Sequence, residues 1–306
     1  MRFILLIWLQ IERRMYLKEF ERYLQFERRY SKHTLIAYVH EVNLFLTFLE
    51  NEHLAFDQVN HRDMRHYFAL MAEAKKSATT VNRSISSLRT YYKFLQREGV
   101  VRSNPIQIKA LKTPKRLPIV VEKDKLLLLL NQMEVNVHDF ESRRDKLVVE
   151  LLFGTGIRLA ELLQIQDRDI DYYNKNILIF GKRNKERLVP INETLIKELQ
   201  LYLQAKSLYI ENNKSSFLIV TKEGKPAYEK LIYRIVHKYL SMVSSQKKRS
   251  PHILRHTFAT ALLDNGADLN AIKELLGHAG LAATQVYTHN SVERLKSIYK
   301  QAHPKA

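Results

Sequence analysis

The sequence predicts a mainly α protein of two domains, a four-helix N-terminal domain followed by a larger α+β domain with a small antiparallel sheet. Three observations carry this. A chain of 306 residues is long enough for two hydrophobic cores. Apolar residues recur at helical spacing through most of its length. The short strand-like runs all lie beyond residue 175, after a basic segment broken by prolines. The absence of cysteine excludes disulfide scaffolds and thiolate metal or redox sites. With 45% hydrophobic residues and only 8 Gly and 7 Pro, disorder and collagen-like repeats are excluded as well.

At the N-terminus, Phe3 to Leu9 is an apolar run followed at once by Glu12, Arg13 and Arg14. It is too short to span a membrane and lacks the cleavage site of a signal peptide. Residues 1–14 read either as an extension upstream of a start at Met15 or as an amphipathic helix. From Met15 four apolar blocks follow at helical spacing: Leu17, Phe20 and Leu24; Leu35 to Leu49; Met64, Tyr67 and Met71; and Val81 to Leu95. Ser31 and Ser77 stand as N-caps of the second and fourth, and Gly99 stands where a helix C-terminal glycine belongs. This defines a helical domain over 15–100.

Residues 101–121 read as an interdomain linker. Pro105, Pro114 and Pro118 break it, and it carries Arg102, Lys109, Lys112, Lys115 and Arg116 with no acid. Beyond it, in the second domain (122–306), helices are expected at Lys123 to Met133 and Arg143 to Phe153. Strands are expected at Asn176 to Phe180 and Arg187 to Ile191, joined as a hairpin with a cationic tip, and at Ser216 to Val220. Helices follow at Tyr228 to Leu240, Pro251 to Asp264, Leu269 to Leu276 and Val292 to Gln301.

The net charge of +18 points to a polyanionic partner, because lysines and arginines on a nucleic acid release condensed counterions. The excess is shared, with 21 basic and 11 acidic side chains in residues 1–120 and 29 and 21 in the remainder. Lys112 and Lys115 in the linker are therefore expected to cross a phosphate backbone. The helices at Ser31 to Leu49 and Ser77 to Leu95 are the candidates for entering the major groove, the latter through Arg83, Arg89 and Lys93.

Three cationic motifs carry chemistry in the second domain. Thr155-Gly156-Ile157-Arg158 sets an arginine at the start of a helix, where it can clamp a phosphate or pair with Glu161 three residues on. His252 and Arg255 are three apart, so an imidazole and a guanidinium can reach one phosphate together. His252 and His256 have zinc-pair spacing, but the Glu of a His-Glu-x-x-His motif is missing, and no metal or other cofactor is expected. The third motif sets His278 nine residues before Tyr287, a tyrosine that neighbouring cations could activate as a nucleophile.

In this order, Arg158, Lys182, His252, Arg255, His278 and Tyr287 resemble the signature of the tyrosine recombinases, the phage integrase family, and most closely its bacterial Xer branch. The stretches TGIRLAELL, GKRNKERLVPI, SPHILRHTFATALLDNGADL, LLGHAGLAATQVYTH and VERLKSIYKQAHPKA carry the resemblance, which extends over nearly the whole chain from Met15. It implies a SAM-like core-binding domain joined to a catalytic domain whose last helix packs into a neighbouring protomer.

For the site, the resemblance implies that Arg158 and Arg255 clamp the scissile phosphate, with His252 and His278 as further donors or acid–base groups. Lys182 would be the general acid and Tyr287 the nucleophile forming a 3′-phosphotyrosyl bond. Lys185 rivals Lys182, while Arg183 and Lys185 are expected on DNA. The implied partners are double-stranded DNA, a homotetramer or a heterotetramer with a second recombinase, and an accessory protein, in the cytoplasm and on the nucleoid. From another class, a non-catalytic DNA-binding accessory protein on the same scaffold is the alternative. Two departures from the family pattern stand out: Arg183 where relatives often have Gly, and Ala282-Ala283 where they often have Ser-Thr.

Overall fold

A computed structural model describes residues 15–113, 120–132, 139–181, 186–210, 215–244, 249–277 and 289–305. The chain divides into two compact units, Met1–Arg116 and Leu117–Ala306.

In the N-terminal unit, helix α1 (15–22) runs into a π-helical turn at Tyr23–Glu27, and α2 (Lys32–Asn51), α3 (His61–Glu73) and α4 (Ala78–Arg97) follow. The sequence caps hold: Ser31 Oγ accepts from the Thr34 amide and Ser77 Oγ from the Thr80 amide. At α3 a capping box of Asn60 and Asp63, not anticipated, does the same work. Gly99 adopts φ +75°, as a helix-terminating glycine should. The helices close on an aromatic core in which Phe20, Phe45, Tyr67, Tyr91 and Tyr92 meet edge to face.

The segment expected as a linker over 101–121 is not free along its length. Val101 and Ile106 are buried in the N-terminal core. Arg89 Nη2 donates to the Ile108 carbonyl at 2.7 Å, and the Asn82 side chain exchanges hydrogen bonds with both backbone groups of Leu111. The alternation of apolar residues lets this stretch lie along α4, with Arg102, Lys109 and Lys112 left exposed.

The second unit is mainly helical: α5 (Lys123–Gln132), α6 (Phe140–Thr155), α7 (Leu159–Leu162), α8 (Glu193–Tyr209), α9 (Glu229–Val243), α10 (Pro251–Asp264), α11 (Leu269–Leu276) and α12 (His289–Ala302). Its sheet has the order β1 (Ile170–Asp171), β2 (Asn176–Phe180), β3 (Glu186–Pro190), all antiparallel. The hairpin β2–β3 matches expectation to one residue, with Ile177 opposite Val189 and Ile179 opposite Arg187.

One expectation fails and one helix was missed. Ser216 to Val220 does not join the sheet, whose third strand is β1; that run makes only isolated bridges, while Leu218, Ile219 and Val220 fill the core. Helix α8 was not expected, although Asn192 caps it and Leu195, Leu199 and Tyr202 form its buried stripe.

Helix α12 packs on its own unit, with Leu295, Tyr299 and Ala302 buried beside α10 and α11. Tyr299 Oη donates to the Gly154 carbonyl at 2.9 Å, and Asn265 Nδ2 donates to the Ala302 carbonyl. Among the described residues no helix is long and apolar enough to cross a membrane.

Candidate active site

Helix α6 ends at Gly156, whose φ of +62° reverses the chain and delivers Arg158 to the first turn of α7. A side chain at 156 could not be accommodated: a Cβ there would lie 2.4 Å from Phe258 and 2.8 Å from Leu276. Phe258 belongs to α10, so the same close approach brings the helix that carries His252 and Arg255 against the turn that carries Arg158. Arg255 Nη1 donates to the Gly156 carbonyl at 2.5 Å.

Three guanidiniums meet at the end of α11. Arg187 Nε donates to the Leu275 carbonyl (3.1 Å), Arg255 Nη2 to Leu276 (2.7 Å) and Arg158 Nη2 to Gly277 (2.9 Å). The last carbonyls of a helix lack intrahelical donors and form the negative end of its dipole, so cations are stabilised there. Gly277, at φ +63°, ends the helix, and His278 is the next residue.

Beneath this row lies one buried carboxylate, Glu161. Its Oε1 accepts from Arg158 Nη1 (2.7 Å) and Arg187 Nη1 (3.0 Å), and its Oε2 from the Arg158 amide and Arg187 Nη2, both at 2.8 Å. Burial works to raise the Glu161 carboxyl, but the hydrogen bonds and charge of Arg187, joined by those of Arg158, hold it below the usual range. Arg255 is pushed the other way. Burial, with the charge of Arg158 and Arg187 added and Glu161 opposing, lowers its guanidinium to about 10.

Three arginines against one glutamate leave this cluster with an excess of positive charge, one side of which opens to solvent at Arg158, 37% exposed. Such an arrangement favours an anion whose oxygens can take the remaining N–H groups.

Of the six residues expected in the site, the structure brings Arg158 and Arg255 together. His252 lies one turn before Arg255 on α10 with its ring exposed. Lys182, His278 and Tyr287 lie outside the described residues, as do Arg183, Lys185 and Lys115. Of the two readings of Arg158, the pair with Glu161 is present, and the guanidinium is still partly open to solvent.

On α4, Arg83 directs Nε and Nη2 to one oxygen of buried Glu41, Arg89 holds the Ile108 carbonyl, and Lys93 is exposed. Two features were missed. Arg187, one of a run of hairpin cations in the sequence, is turned inward. Helix α9 presents Lys230, Arg234, His237 and Lys238 around a shallow depression with Tyr233 and Arg249, a pattern that helical spacing of its cations would have revealed.

Family models agree with this architecture. The model for the phage integrase family matches residues 120–294, and that for the phage integrase N-terminal SAM-like domain matches 17–99. The tyrosine recombinase XerC of Listeria innocua is 39% identical over 94% of this chain and 97% of its own. That of Syntrophus aciditrophicus is 36% identical over 95% and 97%. Among solved structures, the XerH site-specific recombinase in a post-cleavage complex with its difH substrate shares the fold at a TM-score of 0.70. It is 22% identical, covering 92% of this chain and 83% of that one.

Proposed function

The chain belongs to the phage integrase family of tyrosine recombinases, and on that premise we propose that it cuts and rejoins duplex DNA at a specific site through a covalent 3′-phosphotyrosyl intermediate. The observation that carries the reading is the cluster of Arg158, Arg187 and Arg255 around Glu161 at the end of α11, a cationic site with donors left for a phosphodiester.

In this reading Arg158 and Arg255 bind the non-bridging oxygens of the scissile phosphate, and His252 and His278 add donors. The Tyr287 hydroxyl oxygen attacks phosphorus as its proton passes to a neighbouring base. The bond to the 5′ oxygen breaks, and Lys182 protonates that oxygen as it leaves. One P–O bond forms as one breaks, so the energy of the diester is kept in the tyrosyl linkage and religation needs no nucleotide. The guanidiniums and imidazoles stabilise the charge that builds on the pentacoordinate phosphorus.

Two successive strand exchanges in a tetramer, homomeric or formed with a second recombinase and aided by an accessory protein, pass through a Holliday junction. This is the chemistry required to resolve chromosome dimers or to integrate and excise a mobile element. DNA is contacted by Lys93, Lys112, Lys115, Arg183 and Lys185, by the donors that Arg83 and Arg89 keep free, and by the basic face of α9. The protein acts in the cytoplasm, on the nucleoid. On assembly α12 leaves its own unit for that of a neighbour.

Covalent trapping tests the reading. Wild type and Tyr287→Phe are incubated with nicked duplexes tiled from the source genome, and SDS-resistant adducts are resolved. An adduct formed by wild type and absent from Tyr287→Phe is expected. Duplex binding by both without any adduct would favour a non-catalytic DNA-binding protein.

A further inference from the structure

On β3, Arg187 points to the same side as Val189, the side that packs into the core, and only 6% of its surface is exposed. A charged group there pays heavily in lost hydration unless its donors are met. They are met by two elements remote in sequence: Nη1 and Nη2 take the two oxygens of Glu161, and Nε takes the Leu275 carbonyl. The flat face of the guanidinium lies against Gly277, where a Cβ would come within 3.0–3.2 Å of Nη1, Cζ and Nε. Glycine at 277 thus both ends the helix and makes room for Arg187.

A buried ion pair is weak grounds for stability, since well-packed apolar residues serve as well or better. Its placement says more. Glu161 is also the partner of Arg158, and without Arg187 the whole carboxylate charge would fall on Arg158, drawing that guanidinium off an incoming phosphate. We infer that Arg187 is a positioning residue for cleavage: it neutralises Glu161 so that Arg158 stays available to the phosphate, and it ties the β3 arm to the carbonyl row that precedes His278. This rests on the recombinase reading. A lysine cannot replace it, because one ammonium cannot span two carboxylate oxygens and a carbonyl in a fixed plane.

The test uses the full chain and the same tiled nicked duplexes, with initial rates of adduct formation, duplex affinity and thermal unfolding read for each variant. Arg187→Met is expected to bind duplex within about threefold of wild type and to form adduct about 100-fold more slowly, the loss that follows when a reacting geometry slips. Arg187→Lys should stay more than about tenfold slow although it keeps the charge. The decisive variant is Glu161→Gln/Arg187→Met, which removes the buried carboxylate together with the guanidinium that neutralises it and leaves an amide oxygen to accept from Arg158; it is expected to fold where Arg187→Met does not, and its adduct rate should recover to within about tenfold of wild type. A folded, duplex-binding double variant as slow as about 100-fold below wild type would overturn the inference, as would wild-type rates in Arg187→Met. A wild type that forms no adduct would overturn the recombinase reading and the inference with it, an outcome visible before any variant is compared.

Discussion

Each unit of this protein buries one glutamate against arginine, and the two sites are built differently. In the N-terminal unit Glu41 pairs with Arg83: Nε and Nη2 both meet Oε1, Arg83 is half-exposed, and among the described residues Oε2 has no hydrogen-bond partner. In the second unit Glu161 has both oxygens met by two arginines, with a third arginine beside them. The first is a one-to-one pair that closes a helix interface. The second has more cation than anion, and the excess is fixed in a row along the end of α11. A buried carboxylate is common to both units; an unbalanced set of cations around it belongs to the second.

The largest difference should appear in stability. Glu161→Ala leaves two guanidiniums without a counter-charge and should cost about 3–5 kcal/mol in denaturant unfolding of the second unit. Glu41→Ala should cost only about 1 kcal/mol, because Arg83 can turn to water. Equal losses would break the comparison. In cleavage, Arg255→Gln should slow adduct formation by about 10²–10³-fold, the effect of removing one preorganised donor from a charged transition state, while Arg83→Ala should leave the rate with bound duplex unchanged.

Acid should separate the units next. The five histidines between residues 15 and 113 are all exposed, whereas His303 is buried with Nε2 against the Gly154 carbonyl. Burial, helped by the charges of Lys305 and Lys123 and opposed by that carbonyl, lowers its imidazole from 6.5 to about 4. Between those values the unfolded chain binds the proton and the folded chain does not, so stability falls as pH drops from 6.5 to 4, by about 3 kcal/mol in all. Thermal unfolding across that range checks this, and His303→Gln should flatten the slope. The smallest contrast is between two glycines. Gly156→Ala adds a clash with Phe258 to the strain of a positive φ, whereas at Gly99 the space is open. Melting curves should show Gly156→Ala costing about 2 kcal/mol more than Gly99→Ala.

The parts of this protein that were legible in its sequence are those decided within a few residues. Apolar spacing placed α2, α4, α10 and α11. Ser31 and Ser77 announced their helices, and the hairpin was read to one residue. Arg158 with Glu161 was visible as a pair because three residues on a helix make them neighbours. Helix α8 could have been read from Asn192 and the stripe that follows it. The run Ser216 to Val220 was read as a strand and proved to be a core-filling segment, since an apolar run looks the same whether it joins a ladder or only fills the core.

What only the tertiary structure decided is which cations face inward. Lys182, Arg183, Lys185 and Arg187 form one basic run in the sequence, and nothing local distinguishes the last. Arg187 is set apart by Glu161, 26 residues away, and by Leu275, 88 away; Arg158 reaches Gly277 across 119. Periodicity reports which face of an element is apolar. Which charged side chain can afford to be buried depends on acceptors that folding brings from elsewhere, because that cost is set by the partners at the site and not by the residues beside it in the chain.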